Sequence, residues 1–178
     1  MKNVLVPLAE GFEEIEASCI IDVLRRAGMT VVTAGVPASM IKGAHNITFI
    51  ADKRIEEIKG DVYDAIVLIG GYPGYINLGK SQSVMDIVKK FETDNKIIGA
   101  ICGAPALLAK MGMLDNRRAT IYPGMEKQLP KPRDGSVIVD ANVVTSRGPG
   151  TAIEFSLKLV EMMIGKYKAD EVKRILVC

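Results

Sequence analysis

Short apolar runs alternate along the chain with stretches in which apolar residues recur every three or four positions. The runs Asn3–Leu8, Met29–Gly35, Ala65–Ile69 and Ile97–Ile101 are apolar, largely β-branched and short, which predicts buried strands. Helical spacing predicts helices over Glu13–Ala27, Ser83–Phe91, Pro105–Met111, Thr151–Ile164 and Ala169–Ile175. Two further strands are expected at Ser136–Val139 and Val143–Thr145. Buried strands alternating with helices imply a mostly parallel sheet covered on both faces. Right-handed crossovers then give a doubly wound α/β sandwich. Ser39–Asp52 breaks the rhythm, and its alternation predicts a small antiparallel hairpin added to the sheet. Breakers lie at Gly35-Val36-Pro37, at Gly70-Gly71-Tyr72-Pro73-Gly74 and along Pro123–Gly135, the last a Pro- and Lys-containing surface loop. No repeat, low-complexity segment or linker interrupts the pattern, so one domain over residues 1–178 is expected.

Composition narrows the function classes. With 178 residues, 48% hydrophobic and 25% charged, the chain can bury a sizeable core, and disorder is not expected. Its 23 basic and 21 acidic residues leave +2, without the basic cluster that a nucleic-acid groove or membrane-surface patch needs. No apolar run approaches the ~18–20 residues of a membrane span. Met1–Pro7 has one basic residue and a short apolar run, followed by Glu10, Glu13, Glu14 and Glu16. It reads as a first strand rather than a signal peptide, and a cytoplasmic location is the default expectation. Cys19, Cys102 and Cys178 are an odd set with no close pair, which argues against a disulfide framework. With a single histidine, His45, the inventory is too thin for a structural zinc site. No metal or cofactor is expected, and Gly70-Gly71 matches neither a dinucleotide fingerprint nor a phosphate loop.

Ligands of open parallel sheets bind at the C-terminal strand ends, near where strand order reverses. Leu8–Glu16, Gly70–Gly74 and Cys102–Pro105 should converge there. In Gly99-Ala100-Ile101-Cys102-Gly103-Ala104-Pro105 a buried run ends and a helix begins within three residues. A side chain on so sharp a turn points into the cleft and needs small neighbours, here Ala100, Gly103 and Ala104. Cys102 is thus a candidate nucleophile, its thiol pKa expected to be lowered by the following helix N-terminus; the alternative is a small buried core thiol. Glu16 shares a helix face with Ile20, Val23 and Ala27. Burial there would raise its pKa and let it donate a proton; alternatively it complements the helix dipole, as Glu13 and Glu14 are expected to do. Cys19 reads as core and Cys178 as an exposed bystander. Thr151 could cap the last long helix, and Arg147 could pair with Glu14 or Glu16 or lie on the surface.

Together, Gly11-Phe12-Glu13-Glu14-Ile15-Glu16, Asp22–Gly28, Leu68-Ile69-Gly70-Gly71, Ala100-Ile101-Cys102 and Thr145–Thr151 resemble the ThiJ/PfpI superfamily, in the branch of the parkinsonism-associated deglycase. The resemblance covers essentially the whole chain. It implies a flavodoxin-like sandwich of the class I glutamine amidotransferase-like kind and a homodimer. It implies that Cys102 is the reactive cysteine, Glu16 its carboxyl partner, and the N–H groups of Gly71 and Gly103 a small anion pocket. It also implies action on methylglyoxal-type α-oxoaldehydes without glutathione, or on their protein adducts. A redox-sensing or chaperone role through Cys102 oxidation is the alternative, with a cysteine peptidase a third. Two positions depart from the family. Thr120-Ile121-Tyr122-Pro123 puts Tyr122 where the relative has a histidine, and His45 falls where it carries an arginine that reaches the partner subunit's site.

Overall fold

The computed structural model describes residues Met1–Cys178. The chain runs β1 (Asn3–Ala9), α1 (Glu14–Arg26), β2 (Thr30–Val36), β3 (Met40–Lys42), β4 (Thr48–Ile50), β5 (Lys53–Arg54) and β6 (Ala65–Leu68). It continues through α2 (Gly74–Lys80), α3 (Gln82–Thr93), β7 (Ile97–Ile101), α4 (Pro105–Lys110), β8 (Val137–Asp140), β9 (Val143–Ser146), α5 (Ala152–Met163) and α6 (Lys166–Ile175). Seven strands form one sheet in the order β5-β2-β1-β6-β7-β9-β8, parallel except for β8 against β9. The order reverses between β1 and β6, so loops after β1, β6 and β7 meet at one end of the sheet.

Alternation along the strands sorts the core into two layers. Val4, Val6, Leu8, Val67 and Ile69 face a cluster closed by α1, α5 and α6. Leu5, Ala9, Ile66, Leu68 and Ile98 face the opposite cluster, closed by α3 and α4. Each such Val, Leu or Ile side chain contributes roughly 1.5–3 kcal/mol on burial, so these central strands are the rigid platform of the fold.

Helix α1 begins where Glu13, at the N-cap, accepts the Glu16 N–H at 2.6 Å. It ends at Gly28, whose φ of +85° a side chain would strain. No helix is long and apolar enough to cross a membrane.

The structure departs from the expected elements in four places. The hairpin β3–β4 is antiparallel, but it forms its own two-stranded sheet instead of extending the large one. Helix α2 (Gly74–Lys80) follows the Gly70–Gly74 loop, in a stretch to which no element is assigned from the sequence. The strand β5 is two polar residues paired to the edge of β2. Thr151 occupies the N-cap position of α5 without capping it: its hydroxyl accepts the Gly148 N–H at 3.2 Å and lies 2.7 Å from the Ser146 hydroxyl.

Candidate active site

Glu16 lies in the first turn of α1 with no exposed surface. Its Oε2 accepts the Gly70 N–H at 2.8 Å, while Oε1 is buried and makes no hydrogen bond. Burial pushes the carboxyl pKa up to about 8, the Gly70 N–H opposing and the charge of Glu13 adding to the rise. Glu16 therefore keeps its proton at neutral pH.

Cys102 follows β7 directly and has φ of +61°, a left-handed conformation uncommon for a side-chain-bearing residue. Two backbone bonds hold it there: its N–H donates to the Ser146 carbonyl at 2.9 Å, and its carbonyl accepts the Tyr122 N–H at 3.0 Å. Ala100 and Ala104 are both fully buried, as the crowding of such a turn requires. Gly70 lets the two chemical groups meet, because a Cβ there would lie 2.4 Å from Cys102 Cβ, 3.0 Å from Sγ and 2.9 Å from Glu16 Oε2. The sulfur also receives the N–H groups of Gly71 and Gly103.

The thiol is not acidified by the following helix, contrary to the sequence expectation. Burial and the neighbouring Glu16 charge push it up to about 12, against the pull of the Gly71 and Gly103 N–H groups. The helix α4 is short and begins with a proline, which has no N–H to offer. Glu16 and Cys102 titrate as a pair, since each charge opposes the other. With Glu16 protonated, its charge no longer adds to the rise, and burial remains as the chief cause.

Above the sulfur opens a cleft of about 300 Å³ lined by Gly71, Tyr72, Tyr75, Cys102, Gly103, Tyr122 and Met125. The Tyr75 ring lies so close over Gly103 that a Cβ there would be 2.7 Å from it. Tyr122 is half exposed and packs beside Gly148. Tyr72, Tyr75 and Met125 were absent from the sequence-based candidates. The tyrosines three apart just after Gly70-Gly71 were the available signal, and it requires knowing that α2 starts there.

The remaining candidates lie apart. Glu14 is buried but does more than complement the helix dipole. Its Oε1 accepts the His45 N–H at 2.6 Å and the Ile47 N–H at 3.4 Å, and its Oε2 lies 2.9 Å from His45 Nδ1. This clasp ties the β3–β4 hairpin to α1, and His45 is not among the residues that line the cleft of its own chain. Glu13, Glu14 and His45 bring donor atoms within 4.8 Å of one another, the grouping best suited to a metal ion, but the His45 ring is already taken by Glu14. Arg147 pairs with Asp134 at 3.3 Å, not with Glu14 or Glu16. Cys19 is half-buried against the core and Cys178 is exposed.

Comparison with known proteins shows the family of this fold. The model of the DJ-1/PfpI family matches residues 2–162. The Arabidopsis thaliana protein DJ-1 homolog A is 43% identical over 98% of this chain, which spans 46% of that relative's own length. The Caenorhabditis elegans glutathione-independent glyoxalase DJR-1.2 is 34% identical over 95% of this chain and 92% of its own. Oxidized DJ-1 of Toxoplasma gondii, a solved structure, superposes with a TM-score of 0.97 at 38% identity, covering 99% of this chain and 98% of that one.

Proposed function

The chain belongs to the DJ-1/PfpI family, and we propose that it is a glutathione-independent glyoxalase, acting on α-oxoaldehydes or their protein adducts through Cys102 with Glu16 as proton shuttle. The observation that carries this reading is the contact between a left-handed elbow cysteine and a fully buried carboxyl with one unsatisfied oxygen. The glyoxalase activity for which the Caenorhabditis elegans relative is named supports the reaction class.

In this mechanism Cys102 Sγ bonds to the aldehyde carbon while the thiol proton passes to the former carbonyl oxygen. The Gly71 and Gly103 N–H groups stabilise the charge developing in the step. In its ionised minority at neutral pH, Glu16 then takes the hydrogen of that carbon as a proton and returns it to the neighbouring carbon, while the hydroxyl proton of the first carbon passes to the oxygen of the second. The first carbon is oxidised to a thioester and the second reduced to an alcohol, so electrons stay within the substrate. Water hydrolyses the thioester, releasing the hydroxy acid and the thiol. A carboxyl with a pKa near 8 suits both halves of the shuttle at neutral pH. Tyr122 takes the place of a family histidine at the cleft wall and is proposed to orient substrate rather than act as base. A cytoplasmic homodimer is part of the proposal; exposed Ile15, Ile47 and Ile50, on the two elements that Glu14 joins, offer apolar surface for it. Light scattering tests that point.

The deciding experiment follows methylglyoxal by NMR without glutathione, comparing wild type with Cys102→Ser. Lactate far beyond one equivalent, lost in the variant, is expected. Loss of aldehyde without lactate means thiol adduct formation only and defeats the proposal. The second reading is a redox sensor or chaperone acting through Cys102 oxidation, favoured by the two N–H groups at the sulfur and by the oxidized state of the Toxoplasma relative. Peroxide titration with intact-mass analysis tests it: two oxygens must add selectively at Cys102. A peptidase has less support, because no histidine lines the cleft.

A further inference from the structure

The walls of the cleft carry information that the proton shuttle does not use. Three tyrosines and a methionine surround Cys102, and no Lys, Arg or His side chain of the same chain lines the cleft. Its volume of about 300 Å³ stands at the lower end of pockets that hold drug-sized ligands. A three-carbon aldehyde occupies a small part of that space and leaves the Tyr75 and Tyr122 rings unused. A carboxylate or phosphate entering it finds no cation of this chain to pair with.

From these walls we infer that the cleft selects neutral α-oxoaldehydes bearing an aryl or similarly bulky apolar group, with Tyr75 and Tyr122 as the specificity-determining residues. The inference rests on the aldehyde reading above. The keto substituent lies between the two rings while the aldehyde carbon meets Cys102 Sγ. Tyr75 is held for this by Gly103, whose missing Cβ lets the ring close over the backbone beside the sulfur. The reaction is the same internal redox exchange: phenylglyoxal and water give mandelate, with no external oxidant or reductant.

The test compares kcat/KM for phenylglyoxal, methylglyoxal and 4-carboxyphenylglyoxal in wild type, Tyr75→Ala and Tyr122→Ala. In wild type phenylglyoxal is expected to exceed methylglyoxal by roughly tenfold or more, the scale of discrimination an apolar pocket gives. The charged analogue should fall below both. In Tyr75→Ala the phenyl-to-methyl ratio should collapse, a change that cancels the intrinsic reactivity of the aldehydes. Equal use of phenylglyoxal and methylglyoxal, good use of the charged analogue, or an unchanged ratio in both variants would overturn the inference.

A second arm does not depend on turnover. Cys102 alkylation rates are measured with N-benzyl iodoacetamide, iodoacetamide and iodoacetate. A benzyl preference that Tyr75→Ala removes supports the selective cleft even if no aldehyde is turned over, in which case only the enzyme reading fails. No benzyl preference overturns the cleft inference whatever the enzyme does.

Discussion

Glu14 and Glu16 stand two residues apart in the same helical turn, both buried, yet the structure treats them in opposite ways. Glu14 is held below the ordinary carboxylate range: burial alone would raise it, but the His45 ring, the His45 N–H and the Ile47 N–H together overcome that. Glu16 accepts one N–H, from Gly70, keeps a bare Oε1 and is pushed up to about 8. Burial pushes both carboxyls up; around Glu14 the His45 and Ile47 donors outweigh it, whereas around Glu16 it prevails over the single Gly70 N–H. One turn of helix thus holds a charged structural anchor and a proton-bearing group side by side. The second faces the only cysteine at a strand-to-helix elbow.

The comparison can be broken most forcefully on the Glu16 side. Cys102→Ser is expected to eliminate lactate production altogether. Glu16→Gln keeps the shape and the Gly70 bond but cannot shuttle a proton, so turnover should fall about 10²–10⁴-fold in the same NMR assay. Activity near wild type in Glu16→Gln would make the carboxyl a bystander.

On the Glu14 side the loss is of stability. Glu14→Ala strips the His45 and Ile47 N–H groups of their acceptor and should cost about 1–3 kcal/mol in urea unfolding, with faster hydrogen exchange in β3–β4. Because the folded pKa of Glu14 is lowered, its contribution is present above about pH 4.5 and fades as pH falls through the folded value. The sign for Glu16 is the reverse. Its folded pKa is raised, so its contribution is fully present below about pH 4.5 and is lost as pH rises through about 8. Glu16→Gln should accordingly melt above wild type at pH 9, on the order of several degrees, with the gap closing toward pH 4.5.

The smallest effect belongs to His45. Its ring is exposed, and its pKa is raised by the hydrogen bond and charge of Glu14. The contribution is full below about pH 6.5 and lost as pH rises through the folded value. His45→Asn should lower the melting temperature slightly in acid and not at all at pH 9, and cleft chemistry should be unaffected.

Much of this was legible in the residues themselves. Strand and helix periods gave the parallel core, because buried strands such as Ala65–Leu68 leave continuous apolar runs. The elbow was visible because Cys102 sits between small residues at a strand end, and the buried face of Glu16 followed from its spacing to Ile20 and Val23. What was not legible depends on distant contacts. The helix α2 has two glycines and buries little besides Leu78, so it leaves no apolar period, and Tyr75 stayed hidden with it. Glu14 takes its donors from a hairpin 31 and 33 residues away, which no local pattern announces. The raised thiol pKa depends on burial and on Glu16, both of them tertiary.

The central claim is that two neighbouring buried carboxyls differ in charge at neutral pH. Titration of ¹³Cδ-labelled glutamate by NMR reads it directly, with Glu14→Gln and Glu16→Gln assigning the two resonances. The account predicts that Glu16 is protonated at pH 7 and titrates near pH 8, while Glu14 is ionised throughout and titrates only below its ordinary range. A Glu16 resonance already ionised at pH 7, titrating alongside exposed glutamates, would contradict it.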